Sequence, residues 1–200
     1  SVLNDGSLAS DNFTGIGTAK TPDGKDFAST VSSPLKYDTK EAKQNWEIAQ
    51  KELGKKEFTF TMNTQDTPAA KIAAEYIKSQ IETNLPGVTL KIKQMPFKQK
   101  ITLELANNYE TSYSGWSPDY PDPTAFLEIM TKGNAQNNTD WGNEEYDNLI
   151  KEANGSLLRE SDKRNEALQK AESILLHDAP VAPIYQKGEA HLTNPQVKGL

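Results

Sequence analysis

"FTFTMNTQDTPAAKIAAEYIKSQIETNLPGVTLKIKQ", residues 58–94, decides the fold, because two different periodicities follow one another in it. Phe58, Phe60 and Met62 alternate with Thr59 and Thr61, the period-two signature of a half-buried strand. Thr67 then offers a cap and Pro68 suits a first helical turn. Ile72, Ala73, Tyr76, Ile77 and Ile81 recur at helical spacing along one expected inner face. Val88, Leu90 and Ile92 alternate again. Strand, helix and strand in that order make a βαβ unit, with parallel strands and a right-handed crossover expected.

Upstream, "DTKEAKQNWEIAQKELG" opens with Asp38 three residues before Glu41, a capping box, and Gly54 supplies a stop; Ala42, Trp46, Ala49 and Leu53 mark an amphipathic helix. Residues 4–37 are rich in Gly, Ser, Thr, Asp and Asn and read as a long wrapped loop. Downstream come a short helix over Phe97–Leu105 and a third strand at "TSYSGW". Further helices are expected near 124–130, at 143–153 and at 161–177, the last with Ala167, Leu168, Ala171, Ile174 and Leu175 inward. "APVAPIYQKGEAHLT" is a last strand with Ile184 and Tyr185 expected buried. The sum is an α/β lobe on a small mixed sheet flanked by helices.

With 200 residues, 35% hydrophobic and 25% charged, the chain suits one large globular domain or two small ones. Its 22 Lys and Arg against 28 Asp and Glu give a net charge of −6 with the signs interspersed, which excludes the basic stripe a nucleic-acid partner requires. The absence of cysteine excludes disulfides, thiolate metal sites and a Cys nucleophile. No stretch approaches the ~20 apolar residues of a membrane helix.

Catalytic constellations are sparse. The two histidines, His177 on a helix end and His191 on the last expected strand, lack metal-ligand spacing, and His177 suits a helix C-terminus, where the dipole favours a cation. "DYPDP" and "DWGNEEYD" are acidic but lack the calcium-loop register. Asp119 and Asp122, near each other in sequence, would be the carboxylates of a sugar-acting enzyme with Trp116 and Trp141 stacking on sugar rings, but two aspartates on one proline-stiffened loop rarely face each other across a substrate. No metal or cofactor is expected.

"GWSPDYPDPTAFLEIM", residues 115–130, remains: prolines shape it as a loop, and Trp116, Asp119 and Tyr120 sit together on it. This stretch resembles the ligand loop of the oligopeptide-binding proteins of ABC importers, the family 5 extracellular solute-binding proteins. "VLNDGSLASDNFTG", "PDGKDF", "YDTKEAKQNWEIAQKELG" and "APVAPIYQKGEAHLTNPQVKGL" are similar to that family in the same order.

The resemblance implies one lobe of a two-lobed, type II periplasmic-binding-protein-like fold. The lobe spans residues 1–200 with the long loop at 4–37, and the other lobe is absent from the sequence. It implies capture of extended oligopeptides for an ABC permease and its ATPase, outside the cytoplasm, in the periplasm or on a Gram-positive surface as a lipoprotein whose anchor lies outside this chain. It gives Asp119 the free α-amino group of the peptide, Trp116 a flanking place beside the first peptide side chain, and Ser117 a backbone that pairs with the ligand. Gly115, Tyr113 and Tyr120 complete the candidate set, the two tyrosines nearer to packing. Asp122, just before Pro123, suits the cap of the following helix better than Asp119 does. One departure concerns peptide length: "NNYETSYS" before the Gly-Trp carries no cation to meet a peptide carboxylate. A non-peptide ligand on the same fold (a nickel complex, a sugar or haem), a surface adhesion module and a carbohydrate-active enzyme are the competing readings.

Overall fold

The computed structural model describes residues 2–188, 194, 196 and 197. Residues 4–37 contain a two-residue strand, β1 (Leu8–Ala9), and one 3-10 turn (Ala28–Thr30). The segment is docked, with Thr14, Ala19, Thr21, Phe27, Ala28 and Val31 buried. Its clamp comes from the far end of the chain: wholly buried Glu172 accepts from the backbone N–H groups of Phe13 and Thr14, both at 2.8 Å, and from the Thr14 hydroxyl at 2.6 Å. Three donors offset part of the hydration this carboxyl loses on burial.

Helix α1 (Thr39–Leu53) starts at the expected cap, the Asp38 carboxylate accepting from the N–H groups of Lys40 and Glu41, and ends at Gly54 with φ 64°. None of its residues is buried, and Ala42 and Leu53 of the expected inner face are exposed. Trp46 carries the contact: its indole N–H donates to the Pro86 carbonyl at 2.8 Å and its ring stands edge-on to Phe58 at 5.1 Å. The amphipathic pattern marks the helix and its contact edge but not its depth.

The βαβ unit is present. Strands β2 (Phe58–Gln65) and β3 (Val88–Met95) pair in parallel throughout, from Phe58 opposite Val88 to Gln65 opposite Met95, with α2 (Pro68–Asn84) between them. Thr67 caps α2 by accepting from the Ala70 N–H. The helix buries Ala70, Ala73 and Ala74 and packs Ile77 and Ile81 with Phe60, Met62, Leu90 and Ile92. Ile72 and Tyr76, expected on that face, are 48% and 49% exposed. The inner stripe runs along 70, 74, 77 and 81, and positions 72 and 76 stand about a quarter turn or more outside it.

Helix α3 (Phe97–Leu105) leads back to β4 (Thr111–Ser112), which pairs in parallel with the free edge of β2, giving the order β3-β2-β4. The third strand is thus shorter than "TSYSGW"; after it, only the Tyr113 N–H still bonds to β2, at the Asn63 carbonyl. Helix α4 (Thr124–Leu127) continues as a 3-10 turn (Glu128–Met130), followed by α5 (Glu144–Ala153), α6 (Ser161–Asp178) and β5 (Tyr185–Gln186). β5 pairs antiparallel with β1, so parallel and antiparallel pairing lie in separate sheets.

The larger core is helical. Leu127, Met130, Tyr146, Ile150, Leu168, Ala171, Leu175 and Leu176 close over Phe27 and Val31 of the docked segment, each buried Leu contributing roughly 1.5–3 kcal/mol. Tyr146 sits at its centre, its hydroxyl donating to the Leu127 carbonyl at 2.5 Å. Trp141 packs edge-on to Tyr146 and donates to Asp178, tying the preceding loop to α6. On the short β5 side, Ile184 is 47% exposed and Tyr185 half-buried, contrary to expectation, because their partner β1 is itself exposed. His191 and residues 189–193 of the expected last strand lie outside the described residues.

Candidate functional site

The parallel sheet places the proline loop. The β2-to-β3 connection runs through α2 on one face of the sheet. The β3-to-β4 connection runs through α3 on the other. Alternation along β4 shows this: Tyr113 joins the α2-side cluster, whereas the Ser112 hydroxyl bonds Glu104 of α3. In open parallel sheets, ligands bind outside the carboxyl ends of the strands where the connections reverse. The loop at 115–123 leaves from that end of β4.

Two of the loop's side chains are spent on holding it. The Trp116 indole N–H donates to the Ala125 carbonyl at 2.7 Å, which fixes the ring against the first turn of α4 and leaves it 37% exposed. Asp122 does more: its carboxylate accepts from the Thr124 N–H at 2.9 Å and the Thr124 hydroxyl at 2.7 Å, and it takes a bidentate fork from Arg164 of α6, both bonds at 2.9 Å. Burial pushes the Asp122 carboxyl up, but Arg164 and Thr124 together hold it below the usual carboxylate range.

Asp119, three residues earlier, is the opposite case. It is exposed, and among the described residues its carboxylate has no hydrogen-bond or ion-pair partner. The backbone of residues 114–119 likewise makes no backbone hydrogen bond to any described residue. Ser117 is exposed within this unpaired run, and a Cβ placed at Gly115 would meet none of the described residues within 4 Å. The structure therefore brings an unpartnered carboxylate, an immobilised aromatic and a stretch of unspent backbone donors and acceptors onto one exposed loop. That set can meet a cation and an extended chain.

The two tyrosines differ. Tyr113 packs in the α2-side cluster and donates through its hydroxyl to the Tyr185 hydroxyl at 2.7 Å, joining the parallel sheet to β5. Burial, then the bond to Tyr185, pushes its phenol well above the usual range. Tyr120 is 46% exposed, with its hydroxyl 3.3 Å from that of Thr124.

Sequence reasoning missed the groups that fix the loop at its ends. Arg164 is one of only two arginines in the chain and carries the far clamp. At the near end Lys100 and Glu104, 2% and 6% exposed, form an ion pair at 2.7 Å beneath Ser112 and Ser114. Burial pushes the Glu104 carboxyl up, yet the Lys100 ammonium and the two serine hydroxyls hold it below the usual range. Charges at i and i+4 among apolar neighbours were the available signal. An open hollow of about 710 Å³ lies elsewhere, at the start of α5, lined by Glu144, Glu145 and Glu152 among others. None of the loop residues lines it.

The profile of the bacterial extracellular solute-binding proteins, family 5 (middle), matches residues 1–138. The chain is 32% identical over 197 residues to a dipeptide-binding protein of Lactococcus lactis, covering 98% of this chain and 36% of that one. It is 35% identical over 180 residues to the dipeptide-binding protein DppE of Bacillus subtilis, covering 90% and 33%. The crystal structure of an oligopeptide ABC transporter substrate-binding domain from Bacillus anthracis superposes with a TM-score of 0.89 at 45% identity, over 93% of this chain and 36% of that one. The chain thus spans about a third of the length of the curated relatives it matches, and its α/β architecture is that of the type II periplasmic-binding-protein-like fold. Match and superposition agree: the chain belongs to the bacterial extracellular solute-binding proteins of family 5.

Proposed function

We propose that this chain is one lobe of a substrate-binding component that captures oligopeptides for an ABC importer, and that Asp119 receives the peptide's free α-amino group. The observation that carries the reading is the division of labour on the loop. Asp122 is committed to Thr124 and Arg164, while Asp119, three residues after the bonded Trp116, stands exposed with no partner among the described residues. An ammonium leaving water needs an anion and acceptors, and Asp119 supplies the anion. The unpaired backbone around Ser117 adds strand-like bonds that ignore peptide sequence, and Gly115 leaves room for a chain to approach.

The chain works by binding, not by turnover. A glycosidase pair would need both carboxylates free, and both oxygens of Asp122 are taken. Tyr113 supports the floor of the site and Tyr120 its rim. The whole protein would act outside the cytoplasm, with a permease and its ATPase as partners. The reading needs no cofactor. A second lobe would bury the peptide from the other side, so this lobe alone is expected to bind only at about millimolar levels.

Replacing Asp119 by Ala in the longer, two-lobed protein is expected to weaken binding of a free-amine oligopeptide several hundredfold, read by titration calorimetry. Unchanged affinity would remove Asp119 from the site.

A further inference from the structure

Helix α3 is built inside out. Its apolar Phe97 and Leu105 are 58% and 59% exposed, while its charged Lys100 and Glu104 are the residues it buries. Burying two charges is costly unless every donor and acceptor is used, so this arrangement needs a reason beyond packing.

The bonds of the pair converge on the start of the ligand loop. One oxygen of Glu104 accepts from Lys100 at 2.7 Å, from the Ser114 hydroxyl at 2.6 Å and from the Ser112 hydroxyl. The Lys100 ammonium also donates to the Ser114 hydroxyl, which closes the cluster. Ser114 is the first residue of the run whose backbone is unpaired among the described residues. Beside it, that end is held among the described residues only by Tyr113, whose N–H bonds to β2 and whose side chain packs on the α2 side and bonds to Tyr185; β4 itself stops at Ser112. The other end is gripped by the fork from Arg164 to Asp122.

We infer that Lys100 and Glu104 are positioning residues for the ligand loop. Acting through Ser114, they set the direction in which residues 115–119 leave the sheet and therefore where Trp116 and Asp119 stand. Because the pair is neutral as a unit, it fixes the loop without placing a net charge behind the carboxylate meant for an amine. The functional half of this inference rests on the peptide reading above. The positional half does not.

The test uses the chain itself, without ligand, labelled with 5-fluorotryptophan. Its three tryptophans give three fluorine resonances, and W116F assigns that of Trp116. S114A cuts the link while leaving the ion pair intact, and K100M/E104L removes both charges together so that neither is left unpaired. In both variants the Trp116 resonance is expected to shift or broaden while those of Trp46 and Trp141 hold their positions. A Trp116 resonance unmoved in S114A overturns the inference. If K100M/E104L unfolds, all three resonances collapse together, and S114A decides alone.

In the longer protein, S114A is expected to lower the preference for a free-amine over an acetylated peptide about fivefold, roughly the weight of one hydrogen bond. A retained preference overturns the functional half. Wild-type protein that does not distinguish the two peptides overturns the proposed function instead, and the fluorine spectra still decide the positioning.

Discussion

Asp122 offers the sharpest stability prediction, because its two jobs can be weighed separately. Its bonds to the Thr124 N–H and hydroxyl, at 2.9 and 2.7 Å, close a turn just before α4, and a local hydrogen bond of this kind contributes about 1 kcal/mol. The Arg164 fork joins side chains 20% and 30% exposed, and a charge-assisted pair at that depth contributes about 1.5–3 kcal/mol. Asp122→Ala is therefore expected to destabilise the chain by about 2.5–4 kcal/mol, lowering Tm by roughly 5–15 °C for a chain of this size. Denaturant unfolding of D122A, R164A and the double variant isolates the pair, with an expected coupling of about 1.5–3 kcal/mol. The pH dependence has a definite sign. The folded carboxyl lies below its unfolded value, so its contribution is present above about pH 4 and is lost as pH falls toward the folded pKa. The D122A deficit should be constant from pH 5 to 8 and shrink at pH 3. A coupling under about 0.5 kcal/mol, or a deficit as large at pH 3 as at pH 7, would show that the prolines alone shape the loop.

Glu172 titrates with the opposite sign. Burial raises its carboxyl against the three donors of residues 13 and 14, so stability is lost as pH rises through the folded pKa. Glu172→Gln keeps an acceptor for the N–H groups and removes the charge, so its Tm should gain on wild type as pH rises above the usual carboxylate range. A gap that does not change with pH refutes this. Glu172→Ala, which orphans the donors and leaves a cavity, should cost about 3 kcal/mol in denaturant unfolding, and a loss under about 1 kcal/mol would mean that the docked segment is held by packing alone. Gly87→Ala should also destabilise, by more than about 2 kcal/mol. Its φ is 88°, and an added Cβ would stand 2.1 Å from the Lys56 carbonyl oxygen. A Tm equal to wild type would contradict that geometry.

Local chemistry made the elements legible in the sequence. Asp38 and Thr67 cap the helices they were expected to cap, alternation locates β2 and β3, and α3 has its expected bounds. What periodicity could not give is depth and long-range pairing. Counting apolar residues around α3 points away from Lys100 and Glu104, because it assumes that charges face water. Arg164 and Asp122 lie 42 residues apart, and Glu172 and Thr14 lie 158 apart, so their carboxylates look like ordinary surface charge until the chain is folded. At the candidate site, Asp119 and Trp116 are proposed from the resemblance of their loop, not from any pattern of their own. The structure adds a reason to prefer Asp119 over Asp122, since among the described residues Asp122 has both oxygens engaged and Asp119 neither.

The central claim, that Asp119 meets a peptide amine, is tested most directly by titration calorimetry of the longer protein, wild type and D119N, with a free-amine hexapeptide and its acetylated form. Acetylation and D119N should each weaken binding several hundredfold and add little when combined, because both delete the same ion pair. Wild-type protein that binds both peptides equally well would contradict it.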